Sequence, residues 1–369
     1  MKVSRFTLCF LAALFVTYVL PASAQLSPAE PDPLARIRDA AKSNVQTCSA
    51  TGQTLCEQVA PKIIANAQAD SPLAENLRRL AQEIHDGRIV SPAEAVTWAV
   101  AAFRDAGVEA HDEENTVPLP GQKATFQVLH SVVAEIHGRE KPDEWVLLGA
   151  RLDPQSADTV NNAANTAQVI EAARDIQLTG VHPRRSIRFV LFIGPDNNSI
   201  GSWAYVRTHR KELDHARAAV FFLGGAHRMT GYMLSGRRDI EAGLRESLKP
   251  AESFGTVLSM SDTPISADNF DFLLEGVPTA LADQEAMNFP RGVPIFSDAL
   301  DNVDVQEVKR NTAIAAVTAF DIAERAEPLG PRQSHAEIES LLKTTGLDEQ
   351  MKTAGLWPLW ESGARGRMP

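Results

Sequence analysis

Apolar residues recur along this chain at two spacings, and the pattern switches from one to the other and back. From Leu55 to Ala69, Val59, Ile63 and Ile64 fall on one side of a helix. Ser71-Pro72 opens another, with Leu73, Leu77, Leu80, Ala81 and Ile84 at helical spacing. A short amphipathic segment, Pro33 to Ser43, precedes both. Ser91-Pro92-Ala93-Glu94 combines a Ser cap, Pro at the first helical position and Glu three residues after the Ser. It predicts a helix to about Ala106, stopped by Gly107.

Beyond this point short apolar runs of strand length take over. They are Phe126 to Ile136, Trp145 to Ala150, Ser186 to Ile193 and Ala216 to Leu223. Val128 to Ile136 and Trp145 to Ala150, joined by the charged turn Gly138 to Asp143, are expected to form a hairpin-like pair. His130, alone in its strand, reads as a partly buried, hydrogen-bonded residue and not as a ligand. Helices are predicted from Asn161 to about Leu178, Ser199 to Lys211, Asp239 to Leu248, Asp268 to Glu275 and Asp304 to Arg325. Gly255 to Ser259 and Gly276 to Ala280 read as short strands. Strands alternating with helices of this length predict an α/β fold, a central, mostly parallel mixed sheet flanked by helices on both faces. In such sheets chemistry collects where the C-terminal ends of strands meet loops and helix starts. Glu144 to Thr166 has that form: a buried strand, a polar loop from Asp153 to Val160, and a helix entered through Asn161-Asn162.

The tail from Glu327 to Pro369 carries two further helical segments, Ser334 to Thr345 and Leu347 to Leu356. Its Trp357 and Trp360 either dock on the body, the favoured reading, or mark a partner surface. The expected organisation is a leader at 1–24, an N-terminal helical region at 25–110, the α/β domain at 111–326 and the helical tail at 327–369.

Composition narrows the function. The 369 residues are 44% hydrophobic and 22% charged, as in ordinary globular proteins. A net charge of −11 without a basic patch argues against nucleic acid as a partner. Lys2 and Arg5, the apolar run Phe6 to Val19 and Ala22-Ser23-Ala24 form a secretory signal cleaved before Gln25. The apolar run is short for a membrane span of ~20 residues, so no membrane attachment is expected after cleavage. Cys9 lies inside that run and is not a lipid site. The mature chain then keeps Cys48 and Cys56. In an oxidising compartment they are the candidate disulfide, which spacing alone does not decide.

From about Ser71 to Glu324 the chain resembles the secreted zinc exopeptidases of peptidase family M twenty-eight, especially the carboxypeptidase Q-like members. The resemblance rests on VVAEIHGREKPDEWVLLGARLD, NNAANTAQVIEAARDI, RRSIRFVLFIGPDNNSIGSWAYV, SADNFDFLLEGVP and LDNVD, which occur in family order. It implies a zinc-exopeptidase sandwich, phosphorylase/hydrolase-like, and two zinc ions bridged by an aspartate and a water. Two histidines, two carboxylates and a glutamate base complete the family's site.

The matching positions here read differently. The first His falls on Arg151, whose guanidinium has no lone pair for a metal. The bridging Asp falls on Asn161. The glutamate pair falls on Pro195, which has no acid–base group, and Asp196, which keeps one carboxylate. The next carboxylate falls at Leu223-Gly224-Gly225. The last His falls in VPIFSDA, which has none, and no His stands between His227 and His335. His227 lies near one lost position but is not expected to be a ligand.

Arg151 is expected to take over the positive role of a lost zinc and to pair with Asp153, Asp196 or both, or else to reach water. The expected function is a non-catalytic, secreted or periplasmic protein on this fold, with no catalytic residue, metal or cofactor. Its old cleft could hold a peptide end or a small molecule. The alternative is an active metalloexopeptidase releasing amino acids from peptides, its atypical site drawn from Asp153, Asp158, Asp196 and His227. A nucleophile hydrolase is disfavoured because no G-x-S-x-G elbow occurs.

Overall fold

Strand β3 (Lys141–Leu152) runs through the middle of the molecule and is buried on both faces. Its apolar residues divide by alternation. Trp145 and Leu147 enter one core, whereas Val146, Leu148, Ala150 and Leu152 enter the other. This is why the strand reads as a continuous apolar run. The computed structural model describes residues 53–118, 126–194, 199–285 and 300–368, with side chains from residue 58. The leader, the Pro33–Ser43 segment and the Cys48–Cys56 pairing lie outside the described residues.

Eight strands form one sheet, in the order β1-β2-β4-β3-β5-β8-β6-β7. Besides β3 they are β1 (Ala110–Pro118), β2 (Phe126–Ile136), β4 (Arg185–Ile193), β5 (Ala216–Phe221), β6 (Met229–Met233), β7 (Val257–Ser259) and β8 (Thr279–Gln284). The pairs β3–β4, β3–β5, β5–β8 and β6–β7 are parallel, whereas β1–β2, β2–β4 and β6–β8 are antiparallel. The sheet is therefore mixed and mostly parallel, as expected.

The expected hairpin does not form. Strand β4 lies between β2 and β3 and pairs with both. The connection crosses the start of β4, where Arg139 and Lys141 donate backbone N–H bonds to Pro183 and Arg184. Gly138 permits that crossing, because a Cβ there would stand 2.5 Å from the Arg185 backbone. A short polar linker reads like a turn, and only the later strand reveals that it is a crossover.

One face of the sheet is covered by α1 (Gln53–Gln68), α2 (Leu73–His85), α3 (Pro92–Asp105), α4 (Thr159–Gln177), α6 (Glu241–Leu248) and α8 (Val305–Glu324). The other is covered by α5 (Ile200–Thr208) and α7 (Asn269–Leu274). Helix α3 starts on the capping box read from the sequence, with Ser91 and Glu94 bonding each other's backbone. The tail forms α9 (His335–Thr345), α10 (Leu347–Thr353) and α11 (Trp357–Glu361). Trp357 and Trp360 are buried with Ile338, Leu342 and Met351 against Phe270, Leu273 and Leu274 of α7. The tail thus docks on the body. Among the described residues no helix is long and apolar enough to cross a membrane.

Helix α4 carries two acids into the interior. Glu171 is buried beside Arg174, at 2.9 Å. Asp175, fully buried, has no hydrogen bond to its carboxylate oxygens, and Arg174 is 3.8 Å away. Burial, with Glu171 adding repulsion, pushes the Asp175 carboxyl up to about 8. Folded Asp175 therefore keeps a proton that the unfolded chain releases near pH 4, so stability falls as pH rises from about 4 to about 8. Asp175→Asn should stabilise the fold by about 1–3 kcal/mol at pH 9 and by almost nothing below pH 4. Urea melts of both proteins across that range would check it; a pH-independent difference would contradict the assignment.

Candidate functional site

The parallel strands β4, β3, β5 and β8 end along one edge of the sheet, at Ile193, Leu152, Phe221 and Gln284. The N-termini of α4, α5 and α7 meet them there, and this edge is where the sequence places its candidate residues.

Arg151 is the penultimate residue of β3. By alternation it shares a face with Trp145 and Leu147, the face covered by α5 and α7. Its guanidinium is accordingly held by the residues that precede those helices. Nη2 lies 3.1 Å from Asp268 Oδ2, Nε donates to the same oxygen at 3.2 Å, and Nη2 donates to Ser199 Oγ and the Ser266 carbonyl at 3.0 and 2.9 Å. Asp268 is buried, its side chain 4% exposed, and the Arg151 side chain is 11% exposed. The expected positive charge stands at the strand end, but its described acidic partner is Asp268, which the sequence had placed only at a helix start. Ser199 sits in the left-handed region at φ 54° and is fully buried. Its hydroxyl donates to the Ser266 carbonyl while accepting from Arg151. Such strain persists only where the surroundings over-determine the backbone.

Asp153 lies just beyond the end of β3 at Leu152, within reach of the Arg151 charge. The chain turns toward α4, where the Asn162 amide clasps the Asp153 backbone, accepting its N–H at 3.0 Å and donating to its carbonyl at 2.7 Å. The Asp153 carboxylate accepts the Gln155 N–H at 2.8 Å. Burial raises its pKa, partly offset by that bond and by the Arg151 charge.

Asn161, in the first turn of α4, is engaged on both ends of its amide. Nδ2 donates to Asp158 Oδ2 at 2.8 Å, and Oδ1 accepts the Ala226 N–H at 3.3 Å. Leu223 follows β5 and offers only its carbonyl, to Asn165 Nδ2 at 3.0 Å. The loop after it is held by neutral amides throughout. Gly225 N–H donates to Asn165 Oδ1, Gly224 N–H to Gln284 Oε1, and Gln284 Nε2 donates to the Gly225 and His227 carbonyls, at 2.8 to 3.1 Å. Asn311 Nδ2 also bonds the His227 carbonyl. A Cβ on Gly225, at φ +74°, would lie 1.9 Å from Asn161 Oδ1. The loop backbone therefore closes directly onto the Asn161 side chain.

Pro195, Asp196 and the VPIFSDA stretch lie outside the described residues. His130, in register with Ile193 at the end of β4, hydrogen-bonds Asp112 of β1 at 2.9 Å. Among the described residues no group of three or more His, Cys, Asp or Glu could hold a metal ion.

The family model described as "Peptidase family M28" matches residues 131–319, about half of the chain. The chain belongs to peptidase family M28. It is 23% identical to rat carboxypeptidase Q over 204 residues, 54% of this chain and 42% of that protein. With human carboxypeptidase Q it shares 21% over 252 residues, 67% of this chain and 53% of that one. It spans about half the length of these relatives. Among solved structures, a peptidase M28 precursor from Shewanella amazonensis matches with TM-score 0.64 and 16% identity, covering 76% of this chain and 99% of that one. The LapA aminopeptidase of Legionella pneumophila matches with TM-score 0.54 and 15% identity, over 72% of this chain and 76% of that one. These likenesses show that the M28 fold is shared.

The described residues do not fit the family's pair of zinc ions. A guanidinium at Arg151 repels a cation, Asn161 Oδ1 already accepts an N–H, and the chain after β5 presents backbone and an apolar side chain. The sequence pointed to Arg151, Asn161 and Leu223, but missed Asp268, Ser199, Asn162, Asn165 and Gln284, whose roles depend on elements distant in the chain.

Removing Arg151 would leave Asp268 buried without compensation. Arg151→Ala should cost about 3 kcal/mol or more, and Arg151→Ala with Asp268→Ala should recover much of it in a double-mutant cycle. Gly225→Ala should cost about 2 kcal/mol or more through strain and overpacking. Urea melts check both; an unchanged midpoint for Gly225→Ala would mean that the loop does not close on Asn161.

Proposed function

We propose that this chain is a non-catalytic member of peptidase family M28, exported to the periplasm or the outside, in which the metal cleft has become a structural floor. The observation that carries this reading is the closure of the loop after β5 onto Asn161, with the Ala226 N–H aimed at the amide oxygen. At the bridging position a cation requires anionic or lone-pair donors facing it. Here an N–H dipole points the opposite way, and the end of β3 contributes a permanent positive charge. Pro195, at the place of the general base, can neither take nor give a proton. The remaining acids of the edge, Asp153, Asp158 and Asp268, serve as acceptors for Gln155, Asn161 and Arg151.

A non-peptidase role accords with one further relative. Human transferrin receptor protein 2 is 30% identical over 100 residues, 26% of this chain and 12% of that protein, and it is named as a receptor. In this reading the protein acts by binding, with a peptide end or a small molecule as the candidate occupant of what remains open at the sheet edge.

Metal content tests the proposal. Protein purified without chelator, then offered zinc and desalted, should carry well below one zinc per chain, and aminoacyl and dipeptide substrates should not be hydrolysed. About two tightly held zinc ions per chain would overturn the reading.

A further inference from the structure

Helix α7 begins with two buried acids three residues apart, Asp268 before its first turn and Asp271 within it. At that spacing they face the same side of a helical turn and repel each other. Each is neutralised from a different direction. Arg151 comes from the sheet to Asp268. Arg365 comes from the C-terminal tail to Asp271, with Nε to Oδ1 at 2.7 Å and Nη2 to Oδ2 at 3.0 Å. The Arg365–Asp271 pair is the more buried of the two, 2% and 1% exposed.

The tail's grip is fixed on every side. The Arg365 guanidinium lies over the Trp203 ring at 5.2 Å, and Trp203 Nε1 donates to the Ala364 carbonyl. Arg210 donates to the carbonyls of Gly363 and Gly366, and Arg367 N–H to that of Leu274. From Asp271 the contacts run on toward the cleft. Ser202 Oγ stands 2.7 Å from Asp271 Oδ2 and 2.9 Å from the Ser199 carbonyl. Its one proton goes to the carboxylate beside Arg365, and Ser199 is tied to the segment that leads into α7 by its own bond to the Ser266 carbonyl. Ser199, the strained residue, accepts from Arg151.

We propose that Arg365 is a positioning residue for Arg151. By neutralising Asp271 it holds the first turn of α7, and with it Asp268 and Ser199, in the arrangement that locks the Arg151 guanidinium at the sheet edge. Without Arg365 an uncompensated carboxylate would be buried in that turn, and the turn would open toward water. The tail would then set the state of the cleft while touching no ligand. This inference rests on the reading that Arg151 is the locked occupant of the former metal site.

Reaction of the full-length mature protein with phenylglyoxal, mapped by mass spectrometry, tests it without any ligand. In the wild type Arg151 should react far more slowly than the exposed Arg79, which is 62% exposed. If Arg151 reacts as fast as Arg79, the underlying reading of the cleft fails. In Arg365→Gln, Arg151 should react about tenfold faster or more, while Arg185, 1% exposed at the opposite ends of the strands, stays protected. An unchanged Arg151 rate in this variant overturns the proposal. Arg365→Gln with Asp271→Asn removes both charges, and it should return Arg151 to near wild-type protection. If the double variant leaves Arg151 as reactive as the single one, Arg365 acts through tail packing and the proposal is wrong. The double variant also decides the matter should the single one lose protection at Arg185 through general unfolding.

Discussion

A charge taken out of water must be answered by another charge close by, and the functional edge of this sheet is arranged around that requirement. Four parallel strands deliver their ends to one place, and three helices deliver their N-termini. A metal site answers the buried carboxylates of such an edge with cations from solution. Here Arg151 and Arg365 answer those at the head of α7, each bound to the chain and each in a near-dry ion pair. A covalently attached cation cannot leave. Such pairs contribute little net stability compared with an apolar replacement, but losing one partner is costly. The arrangement is therefore intolerant of single changes and tolerant of concerted ones.

The rest of this edge shows the same logic without charge. Asn161, Asn162, Asn165, Gln284 and Asn311 each bond the backbone of the loops at the strand ends. An amide offers a donor and an acceptor on one planar group, so it can satisfy an N–H and a carbonyl of a buried loop together. Carboxylates at these places could satisfy only the N–H groups and would repel the carbonyls. Backbone as the partner thus favours amide side chains over acids.

The two ends of the described chain contribute unequally to this edge. The N-terminal helices α1 to α3 pack over α4 and α8, on the face opposite to Arg151. The tail lies on the face to which Arg151 points and reaches the edge through Arg365, Trp203 and α7. The tail's tryptophans, legible in the sequence as either docking residues or a partner surface, complete the apolar cover of α7. Their burial is what delivers Arg365 to Asp271.

Sequence alone determined the elements whose signal is local. The capping box of α3, the α2 stripe and the doubly buried run of β3 each follow from neighbouring residues, and together they set the α/β class. Local chemistry also bears on the site, since no neighbourhood turns Arg151 into a metal ligand or Pro195 into a base. Strand β1 escaped because its AHDEENTVP sequence is polar, as an edge strand paired on one side can be. The order of the strands was decided only in three dimensions: β4 had to enter between β2 and β3, across a glycine whose importance lies in what passes over it. The acidic partner of Arg151 among the described residues was likewise a tertiary outcome. Asp153 is two residues away along the chain, but the strand ends between them, and Asp268, more than a hundred residues later, is carried to the guanidinium by the fold. Ion pairs depend on distance in space, and sequence reports distance only along the chain.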